Sequence, residues 1–143
     1  MMKRLVGQFP APGWLVIDIQ PAWESKPARE FGNELCLTCR LEGETGCAEQ
    51  VARFGNAKLV RWTAEPVTRP WQIEDAYCQI VEIEDSEWIA QVRRESPLYA
   101  RVGRLKHYLV YVEDAGAYEI AAEAVIVEDL RPVGARPNGR DMQ

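Results

Sequence analysis

The residues best equipped for chemistry in this chain are its one histidine, His107, and four cysteines, Cys36, Cys39, Cys47 and Cys78. An imidazole can act as a general base if strand pairing brings a thiol or a carboxylate within reach. Thiolates can ligate zinc or form a redox pair, and Cys36 and Cys39 have the Cys-x-x-Cys spacing that usually opens a zinc site. The other two cysteines are not a second close pair, and no glycine follows Cys36 or Cys39 to form a tight knuckle. The stretch around them, Glu34–Glu42, alternates, with Leu35, Leu37, Cys39 and Leu41 on one side and Cys36, Thr38, Arg40 and Glu42 on the other. That is the pattern of a half-buried strand, on which residues three apart point to opposite faces. The four cysteines are therefore weak metal candidates, read as reduced core or half-buried thiols, and no cofactor is expected.

His107 lies in Arg104–Asp129, which reads as two strands joined by a tight turn, on one face with Leu105, Leu109 and Tyr111. No nucleophile elbow or triad signature accompanies it. It is a weak catalytic candidate beside the simpler reading of a ring that fills the core or its rim. Two registers suit the hairpin. A loop of Ala115-Gly116 sets Tyr111 against Ile120, and a loop of Asp114-Ala115-Gly116 with a left-handed Gly116 sets Val110 and Val112 beside Ile120 and Tyr118. In both, Glu119 and Glu123 mark a partly solvated face near the turn, which Val125 and Val127 continue as apolar surface.

Five tryptophans are many for 143 residues. Trp14, Trp62 and Trp88 fall in patterned elements and are expected in the core. Trp23 and Trp71 fall in proline-flanked segments, where a large amphipathic ring has reason to meet a ligand or partner, so they are the expected binding residues. The carboxylates Glu82, Glu84, Asp85 and Glu87 read as caps and dipole partners around a helix start. Neither a phosphate loop nor a dinucleotide fingerprint is present.

The elements that must position these residues follow from periodicity. Further strands are expected at Gly13–Gln20, Leu59–Ala64 and Tyr77–Ile83. Pro21–Arg29, with two prolines, should be a connection or a sheet edge. The clear helix is Glu87–Glu95, with Asp85-Ser86 offering its cap, Glu87 in its first turn, Arg93 and Arg94 in its last, and Ser96-Pro97 ending it. A second helix over Cys47–Phe54 fits the composition, ended by Gly55 and Asn56. The expected fold is α+β, a mainly antiparallel sheet of about five or six strands with one short helix at 87–95 and a candidate second at 47–54. It forms a single domain over 1–130, followed by a flexible tail over 131–143 rich in proline, glycine and arginine.

A net charge of −5 repels a phosphate backbone on average, so nucleic acid is not an expected partner. No apolar run approaches the roughly 20 residues of a membrane span, and Met1–Val6 lacks the apolar core of a signal peptide. The expected setting is the cytoplasm, where thiols stay reduced. With no catalytic signature, and with hairpin strands apolar on both faces, the leading expectation is a small soluble non-enzymatic interaction or structural module. Its partner would be another protein or a second copy of itself, as a homodimer joined through the sheet. The alternative is a small-molecule binder or enzyme with a tryptophan-lined pocket that uses His107 or a cysteine thiol.

Overall fold

A computed structural model describes residues 1–25, 33–96 and 104–133. These described residues build ten strands: β1 (Lys3–Gln8), β2 (Leu15–Ser25), β3 (Asn33–Gly43), β4 (Gly46–Gly55), β5 (Leu59–Thr63), β6 (Gln79–Ile83), β7 (Lys106–Val112), β8 (Gly116–Ala122), β9 (Ala124–Val127) and β10 (Arg131–Pro132). A 3-10 turn at Glu65–Val67 and a short helix, α1 (Pro70–Ile73), follow β5, and α2 (Glu87–Glu95) follows β6. The fold is α+β and its strand pairing is antiparallel throughout the two sheets, with five strands in each. One sheet has the order β1-β6-β7-β8-β5. In the other, β2, β3 and β4 lie side by side, and β9 and β10 both pair with β4. Among the described residues no helix is long and apolar enough to cross a membrane.

The two sheets close on one core. From the first sheet Ile80, Tyr108, Val110, Val112, Tyr118 and Ile120 enter it, and from the second Leu35, Leu37, Cys39, Leu41, Ala52 and Phe54. The period-two pattern of Glu34–Glu42 holds on its core side, where Leu35, Leu37, Cys39 and Leu41 have no exposed surface, while Cys36 on the other side is buried as well. The hairpin β7-β8 is buried on both faces. Its other face carries Leu109, Tyr111 and Ala117, packed with Val81 and Ile83 under Trp71 and Ile73 of α1, and Leu105 and Ala121, packed under Ile89, Trp88 and Val92 of α2.

Several expectations change. Cys47–Phe54 is not a helix but most of β4, paired with β3 from Gly43↔Gly46 to Glu34↔Gly55. Its Ala, Glu and Gln residues favour helix weakly, and that preference yields to an eleven-residue strand partner delivered by the two-residue loop Glu44-Thr45. Both hairpin registers are replaced by a third, in which Val112 pairs with Gly116 and Tyr111 with Ala117 across the loop Glu113-Asp114-Ala115. The left-handed loop residue is Asp114, at φ 68°, and Gly116 opens β8 instead. Glycine stands there for close approach as well as for its φ of +109°: a Cβ would lie 2.2 Å from the carbonyl oxygen of Thr63 on neighbouring β5.

Val125 and Val127 do not prolong the hairpin, because the chain leaves the first sheet after β8 and pairs β9 with β4 of the second. Pro21–Ser25 continue β2, an edge strand, which is the setting a strand proline requires. Arg131 and Pro132, grouped by composition with the tail, pair with Glu49 and Ala48. Residues 26–32, 97–103 and 134–143, which include the rest of the Pro21–Arg29 segment, Pro97 and most of the tail, lie outside the described residues.

Gly116→Ala should destabilise the fold by about 2 kcal/mol or more, since it adds both backbone strain and a steric clash. The check is a drop in the midpoint of urea unfolding at unchanged slope.

Candidate functional site

The site assembles on the helix-covered face of the first sheet. In the register between β6 and β7, Ile83 pairs with His107, and three residues later the chain turns into α2 with Ser86 as its N-cap. That short path delivers the Ser86 hydroxyl to the imidazole: Ser86 Oγ lies 2.8 Å from His107 Nδ1. On the far side of the ring His107 Nε2 lies 2.8 Å from Glu119 Oε1, which comes from β8. Register places Arg61 of β5 directly beside Glu119, and its Nη2 donates to the same oxygen at 2.6 Å. Gln72 of α1 donates through Nε2 to the other oxygen, Oε2, at 3.1 Å.

With the ring proton on Nε2, one order of donors and acceptors satisfies every contact. Ser86 Oγ accepts from the Ile89 amide at 3.1 Å, which leaves its proton free to be donated. Nδ1 of a neutral ring then accepts that proton, and the proton on Nε2 points at a carboxylate that can only accept. His107 is 4% exposed and Glu119 2%, so both are enclosed by protein. Burial alone would raise the Glu119 pKa. The hydrogen bonds from His107 and Arg61, with the Arg61 charge, outweigh that and hold it below the ordinary carboxylate range.

Tryptophans frame this relay. Trp88 meets the His107 ring edge-on at 4.9 Å between centroids, and the Arg61 guanidinium sits 3.9 Å from the centre of the Trp88 ring. Trp71, Trp88, Arg61, Arg94, Ser86 and His107 line one cleft of about 460 Å³. A second cleft of about 380 Å³ reaches Ser86 and His107 from the other side of α2, past Ile89, Arg93 and Lys106. A third, of about 620 Å³, adjoins Trp71 and Arg61 and is bordered by Trp62, Val67 and Glu119.

The sequence candidates separate. His107 and Trp71 come together in one cleft. Trp23 does not join them: it lies in β2 of the other sheet and is 49% exposed. Trp88 and Trp14 are partly buried, but Trp62 is 59% exposed rather than in the core, its indole nitrogen donating to the Ala115 carbonyl at 2.8 Å. Its register faces the core side, but β5 is the sheet's edge strand and the ring extends past the packed interior.

Cys36 and Cys39 face opposite ways, Cys39 in the core and Cys36 on the outer face of the second sheet. Burial, with Glu24 nearby, pushes the Cys36 thiol up to about 11, and burial pushes Cys39 to about 12 and raises Cys78, so none of the three is a ready thiolate. Cys47 is buried near the start of β4. Among the described residues the one group of three close potential ligands is Glu24, Glu34 and Cys36, which includes a single cysteine. A cation already sits there: Arg53 reaches Cys36 Sγ at 3.3 Å, Glu34 at 3.2 Å and Glu24 at 3.6 Å.

Ser86, Glu119, Arg61 and Trp88 escaped the sequence reading. Glu119 is legible in principle, as the single charge in the otherwise apolar run Gly116–Ala122, although its alternation with Glu123 suggests a solvated face. The register overturns this: Glu119 pairs with Arg61 on one side and Leu109 on the other, under the helices. No family model matches this chain, and neither the curated proteins nor the solved structures contain a significant match to it.

Because Glu119 is held below its ordinary value of 4.5, its stabilising contribution is complete above that pH and is lost as pH falls through the depressed folded value. Glu119→Gln should cost about 1–3 kcal/mol near neutral pH, and the gap to wild type should narrow as pH falls below the ordinary value of 4.5. Urea unfolding of both proteins on either side of that value checks the sign.

Proposed function

We propose that this chain is a small-molecule-binding protein whose ligand occupies the cleft between Trp71 and Trp88 above His107. One observation carries the reading: two indoles, two guanidiniums, a hydroxyl and an imidazole converge, with the Asp85 and Glu87 carboxylates at the rim, on a single concavity of about 460 Å³, within the usual range for ligand sites. The indoles supply flat apolar contact, and Ser86, Arg61 and Arg94 supply a few polar groups to orient a ligand. Trp88 is fixed in advance by its contacts with His107 and Arg61, which reduces the ordering cost of binding. The ligand class that fits is small, with a planar or acyl apolar part and one polar group.

The interaction-module reading keeps a narrower basis. The demand that both faces of the β7-β8 hairpin be covered is met inside the chain, by the second sheet and by α1 and α2. The outer face of the second sheet is charged, with Arg131, Glu49, Arg40 and Asp18 in one row across four strands. What favours self-association is the edge strand β2, where Leu15, Ile17 and Trp23 are exposed beside an open row of backbone groups. On that reading two copies pair β2 to β2. Both readings keep the cytoplasmic setting expected of the sequence and exclude nucleic acid, whose phosphates a net charge of −5 repels.

In a thermal-shift screen of small aromatic and acyl compounds, hits should stabilise wild type and Trp23→Ala alike and leave Trp71→Ala unshifted. Equal shifts in Trp71→Ala would remove the cleft reading. Sedimentation at micromolar concentration should give the monomer mass; a dimer that Ile17→Lys dissociates would instead favour the edge-strand reading.

A further inference from the structure

We propose that Ser86, His107 and Glu119 form a nucleophilic relay that hydrolyses small carboxylic esters held in the Trp71–Trp88 cleft. This rests on the binding reading above and adds a reaction to it.

Three features support a reaction beyond a buried polar contact. The hydroxyl, the imidazole and the carboxylate lie in series at 2.8 Å and 2.8 Å, the nucleophile–base and base–orienter contacts that acyl transfer requires. Accessibility is graded in the useful order: His107 and Glu119 are enclosed, whereas Ser86 is half-buried and borders clefts on both sides of the α2 start. Ser86 also caps a nine-residue helix, so the amides of Glu87 and Trp88, which have no partner within the helix, follow directly after the nucleophile. An amide just after the nucleophile is where an oxyanion donor is useful. The ring is turned end for end relative to the serine-protease arrangement, with Nδ1 toward the hydroxyl and Nε2 toward the acid. Either nitrogen can move the proton.

The chemistry balances with water as the only co-reactant. Ser86 Oγ bonds to the ester carbonyl carbon as its proton passes to Nδ1, and the carbonyl electron pair moves to oxygen. Collapse breaks the bond to the alcohol oxygen, which takes the proton from Nδ1 and leaves an acyl-serine. Water repeats the sequence, giving up a proton to Nδ1, and the acid departs as Ser86 recovers its proton. Ser86 and His107 are the catalytic residues. Glu119 is a positioning residue that fixes the tautomer and stabilises the transient imidazolium, while Arg61 and Gln72 hold it in place.

The test uses the full chain with a fluorophosphonate probe and 4-nitrophenyl butyrate. Peptide mapping should find one adduct per chain, on Ser86. Ester turnover should fall to the uncatalysed rate in Ser86→Asn, which keeps a helix-capping side chain and so separates loss of the nucleophile from loss of the fold. His107→Gln should slow turnover at least about 100-fold. In Glu119→Gln the midpoint of rate against pH should move to lower pH, an effect that loss of structure would not produce. No adduct on Ser86, or undiminished turnover in Ser86→Asn, overturns the relay. If the Trp71-dependent thermal shift survives that result, the cleft still binds and only the reaction falls; if neither is seen, both readings fall.

Discussion

A carboxylate buried in a sheet of apolar residues is the constraint on which this structure turns. Taking an ion such as Glu119 out of water costs several kcal/mol, and the cost is offset only if nearby groups replace the lost hydration. Those groups come from separate parts of the chain: Arg61 from β5, His107 from β7 and Gln72 from α1. Ser86 then ties α2 to the same cluster through the imidazole. The interaction thus sets the seating of both helices on the first sheet. It also fixes Arg61 against Trp88, so the cleft inherits its shape from the ion network.

The rest of the architecture divides labour around that face. The inter-sheet core is a packing device, filled by alternate residues of β3, β4, β7 and β8 together with Ile80 of β6, Phe9 and Ala57. The outer face of the second sheet is ordered by charge, with Arg53 joining Glu24, Glu34 and Glu128 and with Arg40 pairing to Asp18. Exposed pairs of this kind contribute little stability each. Apolar exposure is instead drawn to strand edges, at Leu15, Ile17 and Trp23 on β2 and at Leu59 and Trp62 on β5.

Local pattern made much of this legible and long-range pairing hid the rest. The strand at Glu34–Glu42, the Ser86 cap and the helix Glu87–Glu95 follow from periodicity and capping rules that act within a few residues. Cys47–Phe54 has weak helix propensity of its own, and the partner strand that decides its conformation lies outside the local window. The hairpin register misled because Gly116 looked like a turn residue, whereas a neighbouring strand needs its missing Cβ. His107 was visible as a candidate from its type alone, but its partners lie 21 residues upstream and 12 downstream, and only the fold brings them into line. A charge alone among apolar residues, as at Glu119, is better read as a buried ion with partners to be found than as the edge of a wet face.

The proposed ester hydrolysis depends on the direction of one proton relay. If Ser86 is poised to give its proton to the ring, Nδ1 must be bare and the ring proton must sit on Nε2, facing Glu119. Long-range nitrogen–proton correlation spectra of the His107 imidazole at neutral pH read this directly from the nitrogen shifts. The account predicts an unprotonated Nδ1 and a protonated Nε2. A proton on Nδ1 would make Ser86 an acceptor only, reduce the cluster to a structural ion network, and contradict the account.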